Sequence, residues 1–89
     1  MQIVWTEYLK YKASLRGFDL SIIESIVSSS TERYFDTTTR RSIVVGRHDS
    51  RLVIISCETD ANSITPVTIH ATTRQQVNLR IKAGRFIHE

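Results

Sequence analysis

The stretch His70–Arg85, HATTRQQVNLRIKAGR, holds a histidine, four of the chain's twelve basic residues and no acid. An imidazole with an ordinary pKa near ~6.5 takes up or gives up a proton around neutral pH. A guanidinium grips a phosphate through parallel N–H donors and stabilises the charge that develops on a phosphorane. Arg74 follows His70 by four positions, and Arg80, Lys82 and Arg85 come after it, a pattern that suits chemistry on a phosphodiester. Arg40 and Arg41 in TTTRR and Arg47 at the end of SIVVGR could join these groups if the fold brings them alongside. Tyr34 and Phe35 are the aromatics nearest the arginine pair. Strand neighbours point to opposite faces, so one of the two rings faces solvent and could stack on an unpaired base. Each of these residues also has a plainer use: a capping histidine, a solvated basic face, a core ring.

Other chemistries lack their residues. There is no glycine-rich phosphate loop, GxSxG elbow, HExxH or CxxC. His48, His70 and His88 with the single Cys57 have no zinc-ligand spacing, so neither a metal nor a cofactor is expected. Cys57 lies in the apolar run LVIISC and has no partner for an internal disulfide. It reads as a core residue in a reduced, cytoplasmic protein rather than as a nucleophile. No apolar run approaches the ~20 residues of a membrane span, and the N-terminus has no secretory pattern.

A hydrophobic content of 40% with 24% charged residues is that of an ordinary globular protein, and 89 residues make one domain, 1–89. The net charge of +3 is unevenly placed. Residues 63–89 carry four basic groups against Glu89 alone, whereas residues 1–36 carry four against five acids. The basic excess at the C-terminal end suits an anionic partner.

The elements that must position these groups follow from periodicity and caps. QIVW at 2–5 is a short strand-like entry. Thr6 can cap a helix with Tyr8, Tyr11 and Leu15 at helical spacing, and Gly17 can end it. Asp19 caps the next helix, with Phe18 stapled on Ile23 and an apolar stripe of Ile22, Ile23, Ile26 and Val27 that the serines 28–30 terminate. RYFD (33–36), SIVVGR (42–47), RLVIISC (51–57) and ITPVTIH (64–70) are strands, with His48-Asp49-Ser50 as a hairpin loop. Ile43, Val44 and Val45 are consecutive, which predicts a strand covered on both faces. Pro66 predicts an edge position or an early break, and alternation puts Pro66, Thr68 and His70 on one face. The last segment is ambiguous. Val77, Leu79 and Ile81 alternate, yet Thr72-x-x-Gln75 resembles a capping box and Gly84 a helix stop, and a helix is preferred. The expected fold is α+β: a small, mostly antiparallel sheet, an N-terminal helical hairpin and a C-terminal helix, in the order β-α-α-β-β-β-β-α.

Three motifs, SLRGFDLSIIESIV, SIVVGR followed by RLVIIS, and a last strand leading into ATTRQQ, resemble the small BrnT-type toxins of bacterial toxin–antitoxin pairs. The resemblance spans roughly residues 14–83 and implies a RelE-like fold. It also implies metal-free RNA cleavage, by attack of the ribose 2′-hydroxyl on the adjacent phosphate. Gly46 and Arg47 match the family's "G-R", Ala71 and Thr72 its "A-T", and Arg80 falls on its basic stretch. The family's arginine between last strand and helix, and its dense charged run, are replaced here by His70 and by neutral Gln75, Gln76 and Asn78. His70 is therefore assigned from its chemistry and not from the family pattern.

The resulting expectation is a cytoplasmic endoribonuclease toxin held inactive by a protein antitoxin. His70 exchanges protons and Arg47 and Arg74 stabilise the scissile phosphate. Arg40, Arg41, Tyr34, Arg80, Lys82 and Arg85 hold the RNA. A homo-oligomer is compatible with the sequence. The alternatives are a non-catalytic RNA- or DNA-binding module, and a small domain whose basic face meets an acidic protein.

Overall fold

The computed structural model describes residues 1–89. The chain runs β1 (Gln2–Ile3), α1 (Glu7–Arg16), α2 (Leu20–Ser29), β2 (Arg33–Asp36), β3 (Arg41–His48), β4 (Arg51–Thr59), β5 (Ser63–Ala71), α3 (Arg74–Lys82) and β6 (Phe86–His88). The six strands form one sheet in the order β1-β5-β4-β3-β2-β6, antiparallel except for β1 beside β5. This is the α+β layout that the sequence predicts, with β6 added. No helix is long and apolar enough to cross a membrane.

Local chemistry sets the helix ends. Thr6 Oγ1 accepts from the Leu9 amide at 3.1 Å, and Asp19 Oδ1 from the Ser21 amide at 2.8 Å, so both expected N-caps are in place. Gly17 ends α1 with φ 75°, a left-handed conformation that a side chain would oppose. Phe18 and Ile23 are buried in the same cluster, as a staple requires. At the far end of α2, Arg33 donates from Nε to the Ser30 carbonyl at 3.0 Å and from a terminal nitrogen to that of Val27. These contacts satisfy carbonyls that a helix terminus leaves without partners.

The sheet is covered on both faces, though unequally. α1 and α2 pack on one face over Val44, Val53, Ile55, Cys57 and Ile69, in a cluster of 12 buried residues. The other face carries a cluster of six, Tyr34, Ile43, Val45, Ile54, Val77 and Phe86, under α3. Consecutive Ile43, Val44 and Val45 thus serve two cores in turn. Cys57 is fully buried, and burial pushes its thiol up to about 12, so it is an inert core residue.

Gly46 allows α2 to lie close to β3. A Cβ at this position would meet Ile26 Cγ2 at 2.5 Å. Gly46→Ala is therefore expected to lower unfolding stability by about 1–3 kcal/mol through overpacking. Urea denaturation reads this, and an unchanged midpoint would show that α2 can lift off the sheet freely.

Four expectations need correction. The buried side of α1 is Leu9 and Ala13, while Tyr8, Tyr11 and Leu15 are exposed. The small alanine, one turn from Leu9, is what faces the sheet. Pro66 does not share a face with His70. A register shift opposes Ser56 to Thr68 but Cys57 to Pro66, so Val67 is bulged and Pro66 turns into the α1/α2 core. The cap of α3 is Thr73, which accepts from the Gln76 amide at 3.1 Å. Thr72 is still held by the sheet, its amide donating to the Leu52 carbonyl at 2.9 Å. Finally, Phe86–His88 pairs with β2 as a sixth strand, a run too short to show a period in sequence.

Candidate functional site

The second face of the sheet is only partly roofed, because α3 is nine residues long and buries one of them, Val77. Where the helix does not reach, strand residues become polar, with Ser56 and Thr68 beside Ile43 and Ile54. The result is an open cleft of about 360 Å³. Its rim carries Arg41, His70, Thr72, Gln76, Arg80 and Arg85. Residues separated by up to 44 positions, from Arg41 to Arg85, are gathered here by β3, β5, α3 and the approach to β6.

His70 stands near the end of β5, paired across to Ile54. Its Nδ1 lies 3.2 Å from a terminal nitrogen of Arg16, which also donates to the Ile69 carbonyl at 2.7 Å. Partial burial and then the charges of Arg16, Arg80 and Lys12 hold the imidazole below its ordinary value of 6.5. The ring is therefore neutral at physiological pH, with cations on both sides, α1 supplying two and α3 one.

Arg41 and Arg80 line the cleft without an ion-pair partner. Arg85 lines it too but is committed to buried Asp36, with Nε and a terminal nitrogen each 3.1 Å from a carboxylate oxygen. Burial pushes the Asp36 carboxyl up. The Arg85 guanidinium and the amides of Thr38 and Thr39 outweigh burial and bring it down to about 2.

The other predicted residues lie elsewhere. Arg74 opens α3 but does not line the cleft. It forms a two-pronged pair with Glu32, at 2.5 and 2.9 Å, which holds that carboxyl below its ordinary value. Tyr34 is buried, stacked on Phe86 at 5.6 Å, and its hydroxyl donates to Glu32 at 2.7 Å. Its face is closed to a base, which corrects its assignment as a stacking platform. Burial, and then Glu32, push the phenol up to about 12. Phe35 is the half-exposed neighbour, and Arg40 lies over it at 5.5 Å. Arg47 and Lys82 are exposed and outside the cleft, Arg47 directed to the Ser50 carbonyl at 3.4 Å. The structure thus brings together His70, Arg41, Arg80 and Arg85, and leaves out Arg74, Arg47, Arg40, Tyr34 and Lys82.

Sequence reasoning missed Arg16, which is 54 positions from His70 and gives no local signal. It also missed Asp36, although a carboxylate before three threonines, DTTT, is the signature of a side chain that folds its own turn. No group of three or more His, Cys, Asp or Glu side chains is placed to hold a metal ion. His48 is a structural residue. Its Nε2 accepts from the Asp19 amide at 2.8 Å, tying the β3–β4 hairpin to the start of α2.

No protein-family model, curated protein or solved structure matches the chain.

Proposed function

We propose that the protein is a small toxin-like endoribonuclease that acts on RNA in the cytoplasm and is neutralised by a protein antitoxin. The observation that carries this reading is a histidine on the rim of a cleft whose unpaired charged groups are all cations. His70 takes the proton of a ribose 2′-hydroxyl, and the oxygen attacks the adjacent phosphorus. Arg41 and Arg80 stabilise the charge on the phosphorane, and Thr72 and Gln76 can hydrogen-bond the ribose or the base. Arg85 shapes the site through its pair with Asp36, and Arg74, held by Glu32 outside the cleft, does not grip phosphate. The likeness of SIVVGR and ATTRQQ to BrnT-type toxins supports the same reading. Expression without an antitoxin is expected to arrest growth, and unimpaired growth with folded wild-type protein would sink the toxin claim.

A second reading is a binding module that uses the cleft without cleaving. It is favoured by one observation: Arg16 occupies the Nδ1 position where a proton would be taken. A gel assay on labelled RNA separates the two, since the enzyme yields shortened products and the binder a shift with intact RNA.

Both readings predict electrostatic binding. Three phosphate contacts, by Arg16, Arg41 and Arg80, give a slope of log affinity against log salt of about −2 on a single strand. Arg41→Ala or Arg80→Ala is expected to flatten that slope by about 0.7 and weaken binding to all sequences alike. Fluorescence anisotropy in a salt series measures it. A wild-type slope near zero would exclude the cleft as a phosphate site.

A further inference from the structure

We propose that Arg16 is the positioning residue of the cleft: it keeps Nδ1 of His70 free of hydrogen and covered until an anion enters. This rests on the reading of the cleft as a phosphodiester site.

A guanidinium can only donate, so Nδ1 at 3.2 Å from it must be the acceptor. The hydrogen of the neutral ring then lies on Nε2. The same Arg16 nitrogen is anchored on the Ile69 carbonyl at 2.7 Å. That anchor exists because β1 pairs with β5 only at Ser63 and Ile64, which leaves the outer edge of β5 open at Ile69. Arg16 closes α1 and thus reaches across this edge from the layer opposite α3. It is the side chain of the helical hairpin that is hydrogen-bonded to the histidine of the cleft.

The charged groups that act on His70 are Arg16 and Lys12 from α1 and Arg80 from α3, all of one sign. A phosphate entering among them offers Arg16 a charged acceptor in place of a neutral ring and a carbonyl. A phosphate adds attraction between opposite charges that the same guanidinium does not gain from an uncharged acceptor. The guanidinium turns to the phosphate and Nδ1 is uncovered as the substrate arrives. The 2′-hydroxyl proton then passes to Nδ1, the O2′–P bond forms and the P–O5′ bond breaks. The departing 5′-oxygen takes a proton from solvent. In the free protein the base is covered by the residue that later holds the phosphate.

The test is ¹⁵N NMR of the histidines in wild type, Arg16→Gln and Arg16→Lys, together with the pH dependence of RNA cleavage. In wild type, His70 should carry its hydrogen on Nε2 and titrate below 6.5. In Arg16→Gln the tautomers should mix and the midpoint move up towards 6.5, and the acid limb of the pH–rate profile should rise with it. Arg16→Lys, which keeps the charge, should restore part of the shift. Inorganic phosphate should move the wild-type Nδ1 resonance and leave that of Arg16→Gln nearly unchanged. A folded Arg16→Gln protein with the wild-type midpoint and tautomer would overturn the proposal. A midpoint that moves as stated in a protein that cuts no RNA would support Arg16 as the positioning residue and overturn the nuclease reading alone.

Discussion

His70→Ala is expected to lower RNA cleavage by roughly 10²- to 10⁴-fold, the range a positioned acid–base group contributes. The imidazole is the one side chain on the cleft rim that can accept a proton near neutral pH. The arginines cannot, and Asp36 is buried and held by Arg85. The effect should lie in the chemical step. Arg41 and Arg80 remain, so RNA affinity should change little while the rate of turnover of bound RNA collapses. The fold should not suffer, because His70 is an exposed strand-end residue and surface substitutions stay within about 0.5 kcal/mol. The pH profile gives the sign. A base held below 6.5 makes cleavage fall only as pH drops through that lowered value, and His70→Ala should erase this limb. A variant that cuts at the wild-type rate would remove His70 from the chemistry.

Asp36→Ala should have the largest effect on stability, about 3 kcal/mol, because it removes a buried carboxylate that accepts charge-assisted bonds from Arg85 and leaves the amides of Thr38 and Thr39 without their acceptor. Asp36 is 2% exposed and accepts bonds from Arg85 and from the amides of Thr38 and Thr39. It therefore fixes both the turn into β3 and the approach of β6, where the Thr37 amide donates to the Arg85 carbonyl at 2.9 Å. A domain of this size has a total of only about 5–15 kcal/mol, so the loss is a large share. The carboxyl also makes stability depend on acid. It sits at about 2 when folded against 3.8 ordinarily. Its contribution is thus complete above about pH 4 and lost as pH falls through about 2, which amounts to roughly 2–3 kcal/mol. Urea melts at neutral and acid pH should show that dependence in wild type and much less of it in Asp36→Ala. A variant as stable as wild type would show that Arg85 and the turn need no carboxylate.

Local signals in the sequence were enough for most of the fold. Caps at Thr6 and Asp19, the stop at Gly17, and the β-branched runs mark six elements, two helices and four strands, because each depends on neighbours a few positions apart. The bulge at Val67 and the sixth strand at Phe86–His88 depend on partners across the sheet, and no local period encodes them. The candidate site was legible in part. A strand-end histidine and a basic C-terminal segment point to His70, Arg80 and Arg85. Charge alone does not show which arginines are free, however. Glu32 and Asp36, in the chain's acidic half, take up Arg74 and Arg85. Arg16 enters from a helix that the sequence marks only as part of a hairpin.

The most direct test is to incubate purified wild-type protein with end-labelled RNA in the presence of a metal chelator and to identify the new ends. Attack by the 2′-hydroxyl predicts fragments that end in a 2′,3′-cyclic phosphate with 5′-hydroxyl partners, formed without metal and absent with His70→Ala. RNA that stays intact, or fragments that end in a 3′-hydroxyl, would contradict it.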